Sequence, residues 1–140
     1  GSNDTTVKII DLRKLPSDPM ASTPILNTLR GHRAKVQTVK FSPFSSRYVA
    51  SSGDSLILWD IEANNTGEEE LKCPEEHIIL DHIGHIGTVS DFDWNHLSPW
   101  TLISASDDSE SFAQIQRNND CSMQIFRPLD LLTMPEEEAL

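Results

Sequence analysis

Leu29-Arg30-Gly31-His32, Val36-Gln37-Thr38-Val39-Lys40-Phe41-Ser42-Pro43, Tyr48-Val49-Ala50-Ser51-Ser52, Gly53-Asp54 and Leu56-Ile57-Leu58-Trp59-Asp60 are short blocks of one stretch, and their order decides the fold. The same order returns as Ile83-Gly84-His85, Val89-Ser90-Asp91-Phe92-Asp93-Trp94-Asn95, Trp100-Thr101-Leu102-Ile103-Ser104-Ala105-Ser106, Asp107-Asp108 and Ser122-Met123-Gln124-Ile125-Phe126. The chain also opens in mid-pattern, because Gly1-Ser2-Asn3-Asp4 and Val7-Lys8-Ile9-Ile10-Asp11 repeat the turn and final block that end in Trp59-Asp60. Two repeats and the tail of a third are therefore present, a self-similarity that marks stacked structural units.

The apolar blocks are short, rich in Val, Ile, Phe and Trp, and bounded by Gly, Pro, Ser or Asp, so they read as strands rather than helices. Four such strands per repeat make one antiparallel sheet, a blade. The expected fold class is all-β, a partial β-propeller. The glycine before each histidine is expected to permit a tight turn. His32, Ser51, Asp54 and Trp59 can then form one hydrogen-bonded chain inside a blade, since buried polar groups persist only when satisfied. His85 is the corresponding residue downstream. Asp54 stands five residues before Trp59 where six separate Asp4 from Ile10, so one turn is expected to be tightened. Phe126-Arg127 replaces the Trp-Asp pair, and residues 108–121 form a polar insertion, so the second copy is expected to lack the full chain of bonds.

Composition narrows the class further. A hydrophobic content of 37% spread over short strands suits blades, which bury a core only against neighbours. Two blades and a fraction cannot close a ring and no initiator Met is present, so the chain is expected to be a C-terminal fragment of a longer protein. There is no run of 18 apolar residues to predict a membrane span, and no signal-peptide pattern. Cys73 and Cys121 lie in different repeats and make no disulfide framework, and Asn3-Asp4-Thr5 and Asn64-Asn65-Thr66 fit the glycosylation pattern without a secretory context. A reducing intracellular compartment is expected. The net charge of −11 disfavours direct nucleic-acid binding and favours basic protein partners.

The stretch from Ile61 to Glu76 is the strongest functional lead. It exceeds the usual link between strands, and long loops in small domains are usually functional or disordered. Glu62, Glu68, Glu69, Glu70, Glu75 and Glu76 oppose a single Lys72, and the stretch runs into the apolar His77-Ile78-Ile79-Leu80. Carboxylates beside apolar side chains suit a basic amphipathic helix, with Ile79 or Leu80 receiving its apolar face. A solvated linker ahead of an ordinary outer strand is the alternative. Cys73, His77, His82 and His85 match no closed zinc spacing, and His77 and His82 fall on opposite faces of a strand. Asp107, Asp108 and Glu110 read as turn residues rather than a carboxylate pair. No phosphate-binding loop or nucleophile elbow is present. No cofactor, metal or catalysis is expected. Trp94 reads as packing between blades and Trp100 sits at a loop-to-strand junction. Leu129, Leu131 and Leu132 suit one amphipathic turn that Pro135 stops.

These spacings resemble the WD-repeat family over residues 1–127, which implies the last two to three blades of a seven-bladed ring. The resulting division is 1–15, the end of a preceding blade; 25–61, a WD repeat; 62–76, an acidic inter-repeat loop; 77–127, the last WD repeat; and 128–140, an acidic tail. Val89 to Asn95 and Ser98 to Asp108 are more narrowly similar to the last blade of the histone-binding branch, the retinoblastoma-binding and chromatin-assembly small subunits. The insertion is particularly similar to the plant members. That resemblance implies a non-enzymatic, nuclear scaffold of chromatin assembly, modification or repression complexes, with core histones and other subunits as partners. It implies a side groove in which Glu68, Glu69, Glu70, Glu75 and Glu76 supply charge and Leu80 occupies the apolar position, completed by an N-terminal helix. It also implies a histone-tail site on the top face, where Gln37 stands in a position often aromatic and Ser90 lies near the rim. A generic WD-repeat scaffold, for ribosome biogenesis or as a ubiquitin-ligase adaptor, is the alternative.

Overall fold

Strands form where the apolar blocks lie. The computed structural model describes residues 1–22, 24–62, 77–107 and 121–128. Its strands are β1 (Thr6–Ile10), β2 (Ile25–Arg30), β3 (Thr38–Phe41), β4 (Tyr48–Ser52), β5 (Leu56–Asp60), β6 (Ile78–His82), β7 (Thr88–Trp94), β8 (Leu102–Asp107) and β9 (Met123–Phe126). They build three antiparallel sheets in the orders β1-β2, β3-β4-β5-β6 and β7-β8-β9, an open segment of a propeller.

Sheet and repeat are out of phase by one strand. β2 opens the first full repeat yet pairs with β1, and β6 opens the second yet pairs with β5. The sequence reading assigned four strands of one repeat to one sheet; the first and middle sheets instead take their outer strand from the repeat that follows. The physical reason lies in the links. Leu56 follows Ser52 through a tight turn and pairs back onto it, whereas β6 must first cross the long acidic stretch before it reaches the free edge of β5.

Two cores fill the spaces between sheets. Val7 and Leu29 pack with Val36, Val49, Ile57 and Trp59 between the first and middle sheets. Tyr48, Ala50, Leu56 and Leu58 pack with Phe92, Trp94, Trp100 and Leu102 between the middle and last. Alternate residues of β5 thus enter opposite cores, so Leu56-Ile57-Leu58-Trp59 is an unbroken apolar run buried at 0–1% exposure. Each of these side chains contributes about 2 kcal/mol by leaving water.

Polar contacts tie the sheets together at the same seams. The Val36 N–H donates to Ser2 O (3.1 Å), the Val89 N–H to Gly53 O (2.8 Å), and Asn27 Nδ2 to Ile61 O (2.8 Å). Lys40 reaches across from β3 to donate to Phe92 O at 2.8 Å and stands 3.3 Å from Asp93 Oδ1, which holds the Asp93 carboxyl below its ordinary range. Trp94 Nε1 donates back to Lys40 O at 3.4 Å.

The glycine ahead of His32 has a different cause from the one its sequence context suggested. No glycine among the described residues has positive φ. A Cβ on Gly31 would instead stand 2.9 Å from Trp59 Cη2 and 2.9 Å from Ile78 Cδ1. Close approach to the buried indole, rather than a left-handed turn, excludes a side chain there.

Candidate functional site

Inside the middle sheet, the four polar residues named for one chain are within bonding reach. Trp59 Nε1 donates to Ser51 Oγ at 2.7 Å, and Ser51 Oγ lies 2.6 Å from His32 Nε2. His32 Nδ1 lies 3.0 Å from Asp54 Oδ1. The carboxylate accepts, so Nδ1 carries the proton, Nε2 is the bare nitrogen and the Ser51 hydroxyl donates to it. Every donor in the chain then has an acceptor. Asp54 Oδ1 also takes the Arg33 N–H at 3.2 Å.

The last sheet keeps half of this arrangement. His85 Nε2 stands 2.7 Å from Ser104 Oγ and its Nδ1 2.8 Å from Ser122 Oγ, so a serine takes the place of Asp54. Phe126 occupies the position of Trp59 and brings no N–H. At the chain's opening copy, Asp4 turns inward on its own loop. It accepts from Thr6 N at 3.0 Å, Thr6 Oγ1 at 2.6 Å and Lys8 at 3.0 Å, which hold its carboxyl well below the usual range, and Thr5 takes a φ of 70° to make room. The extra residue between Asp4 and Ile10 is spent on that turn.

The flank of the middle sheet carries the apolar residues named for partner binding. Leu58 pairs with Leu80 but Trp59 with Ile78, so Ile79 is the extra residue of a β-bulge. As a result Ile79 and Leu80 both lean on the core shared with the last sheet, while Ile78 enters the other core. Both stay half-exposed. Glu68, Glu69, Glu70, Glu75 and Glu76 lie outside the described residues, as do Cys73, Asp108, Glu110 and the tail from Leu129.

Two locks position β6. At its start His77 donates Nδ1–H to Asp60 O at 2.9 Å. At its end His82 stacks on Phe126 (centroids 4.0 Å apart, planes 13° apart) and donates Nε2–H to Gln124 Oε1 at 2.8 Å, and Gln124 Nε2 donates on to Gly84 O at 2.8 Å. His77 and His82 thus each commit a ring nitrogen to a protein acceptor. Among the described residues no group of three His, Cys, Asp or Glu side chains is arranged to hold a metal ion.

At the start of the acidic stretch, Arg47 donates from Nε and Nη2 to the two carboxylate oxygens of Asp60 (2.8 and 2.7 Å). Burial alone raises the Asp60 pKa; the Arg47 fork and the Glu62 N–H at 3.0 Å override it and leave the carboxyl lowered. Sequence reasoning missed this pair, although its signal was present: Tyr48 and Asp60 are register partners, which puts the preceding arginine beside the aspartate. It also missed Gln124 and Ser122, whose roles depend on contacts between sheets. Trp94 and Trp100 are both buried, at 4% and 5% exposure, and Trp100 stands edge-on to Tyr48 at 4.7 Å. Trp100 has a φ of 63°, and its Nε1 has no hydrogen-bond partner among the described residues. Gln37 is exposed, and exposed Ser90 sits at the β7 irregularity with Oγ donating to Ala105 O at 3.2 Å.

Comparison with known proteins agrees with this architecture. Residues 23–60 match the family described as WD domain, G-beta repeat. The chain is 35% identical over 142 residues to the WD-40 repeat-containing protein MSI4 of Arabidopsis thaliana, covering 100% of this chain and 27% of that protein. It is 32% identical over 117 residues to histone acetyltransferase type B subunit 2 of Debaryomyces hansenii, covering 78% of this chain and 27% of that protein. The corresponding subunit of Candida glabrata is 29% identical over 111 residues, covering 76% of this chain and 25% of its own length. The chain is a WD40-repeat propeller segment related to these proteins, and it spans a quarter to 27% of their length.

Proposed function

We propose that this chain is part of a non-enzymatic nuclear scaffold of chromatin complexes that holds a basic core-histone helix along the flank of the middle sheet. The observation that carries the reading is the position of β6. It is the outermost strand of that sheet, the Glu-rich stretch leads straight into it, and its bulge sets half-exposed Ile79 and Leu80 side by side. An apolar shelf entered from a run of carboxylates fits a helix with Lys or Arg on one face and aliphatic residues on the other. Glu68, Glu69, Glu70, Glu75 and Glu76 steer the cationic face and Ile79 and Leu80 take the apolar one. The names of the relatives, which include a histone acetyltransferase subunit, favour a histone over another basic partner.

Titration of a labelled basic histone helix against the protein tests this. Changing Glu68, Glu69 and Glu70 together to Lys is expected to weaken binding by roughly tenfold or more, and added salt to weaken the wild type while leaving the variant little changed. Unchanged affinity in the variant refutes the acidic-flank reading.

A further inference from the structure

Both ends of the acidic stretch are held at one residue. Where the chain leaves β5, Asp60 Oδ1 accepts the Glu62 N–H at 3.0 Å, the Ile61 N–H donates to Arg47 O at 3.0 Å, and Ile61 O accepts from Asn27 Nδ2 at 2.8 Å. Where it returns, His77 donates Nδ1–H to Asp60 O at 2.9 Å. Asp60 is thus bonded both to the residue 2 places after it and to the residue 17 places after it. Its carboxylate is fixed in turn by Arg47, and the side chain is only 14% exposed.

Such a neck has two physical consequences. Adjacent strands run about 5 Å apart, so a segment pinned at Asp60 and at His77 begins and ends within one strand spacing. What lies between is then kept beside the start of β6, where Ile79 and Leu80 stand. Released at either end, the segment would explore a far larger volume, and the local concentration of its carboxylates beside those two side chains would fall. The second consequence is electrostatic. Arg47 is 42% exposed at the root of a run of glutamates, yet its Nε and Nη2 donors are both spent on Asp60. A guanidinium committed in this way competes less with a cationic partner for the glutamates beyond it.

We infer, on the basic-helix reading proposed above, that Asp60, Arg47 and His77 are positioning residues for that site. They hold the neck of the acidic stretch against the end of β5, so that the carboxylates and the apolar pair present one surface. They act through the stretch they hold and not by touching the partner.

Titration of the labelled histone helix against the full chain and its His77 variants tests this. His77→Leu removes the donor and is expected to weaken binding about three- to tenfold, since one unmade hydrogen bond shifts an equilibrium by about that factor. His77→Asn places an amide N–H where Nδ1–H stood and should keep affinity within about twofold. In the Glu68→Lys/Glu69→Lys/Glu70→Lys background, His77→Leu should change affinity by less than about twofold, because the carboxylates it places are gone. A side chain that served folding alone would give the same loss in both backgrounds, or none in either. Amide exchange followed by NMR reads the neck without a partner: the Glu62 N–H should exchange slowly in the wild type and about tenfold faster or more in Arg47→Met. Full affinity in His77→Leu, equal losses in the Leu and Asn variants, or an unprotected Glu62 amide overturns the positioning role and leaves the acidic-flank reading standing. A histone helix that fails to bind the wild type overturns the acidic-flank reading and the positioning role with it.

Discussion

Replacing Ser51 with Ala removes one hydroxyl from a site at 0% exposure, yet the cost should far exceed that of one hydrogen bond. Ser51 Oγ accepts from Trp59 Nε1 and lies 2.6 Å from the acceptor nitrogen of His32. Both partners are buried, Trp59 at 0% and His32 at 6%, so neither can turn to water. Each stranded group costs about 1–3 kcal/mol, which places Ser51→Ala at roughly 3–4 kcal/mol. Trp59→Phe removes the donor rather than stranding it, and should cost about 2 kcal/mol, mainly from the lost indole volume. The double variant should then fall short of the sum by about 1–2 kcal/mol, because the orphaned indole N–H no longer exists. Urea unfolding followed by circular dichroism at neutral pH gives all three values. Strict additivity, or a Ser51→Ala cost below about 1 kcal/mol, refutes the idea that one hydroxyl serves both partners.

Three further outcomes follow from the geometry. Gly31→Ala forces a methyl against Trp59 and Ile78 and should cost about 1–3 kcal/mol in the same unfolding assay, with a shift of tryptophan fluorescence as the indole moves. Arg47→Met leaves Asp60 without its fork; since Arg47 is 42% exposed and screened by solvent, the loss at neutral pH should be only about 1 kcal/mol. The Asp60 carboxyl is lowered in the folded state, so its stabilisation is present above the unfolded carboxylate pKa and fades as pH falls through the folded value. The gap between wild type and Arg47→Met should therefore close as pH drops below about 4, read by acid titration of the two proteins. Lys40→Met strands Phe92 O and should cost about 1 kcal/mol with little change in secondary structure, loosening the contact between middle and last sheets.

Periodicity made the strands legible. Each apolar block became a strand because β-branched and aromatic residues in short runs between turn residues leave no other way to bury them. Gly31 was marked by its place in the repeat, but its cause was not legible, because a close approach between elements 28 residues apart leaves no local trace. The bulge at Ile79 was hidden for a similar reason: strict alternation assigns Ile79 and Leu80 to opposite faces, and only pairing against β5 reveals the slip. Asp54 and Ser51 could be named from spacing because the hairpin that joins them is local. Ser122 could not, since its partner His85 lies 37 residues away across a polar insertion.

The phase offset between repeat and sheet has a practical outcome for anyone cutting this chain. Severing the backbone between Glu62 and His77 leaves Ile78–His82 still seated on the edge of Leu56–Asp60, held by main-chain pairing and by His77 on Asp60. Two such pieces expressed separately should find each other again, as a zipped seam would. A cut at Gly31 or Gly84 instead falls between sheets: it leaves every strand pairing intact but bares the apolar faces that neighbouring sheets bury against each other, and invites aggregation through them.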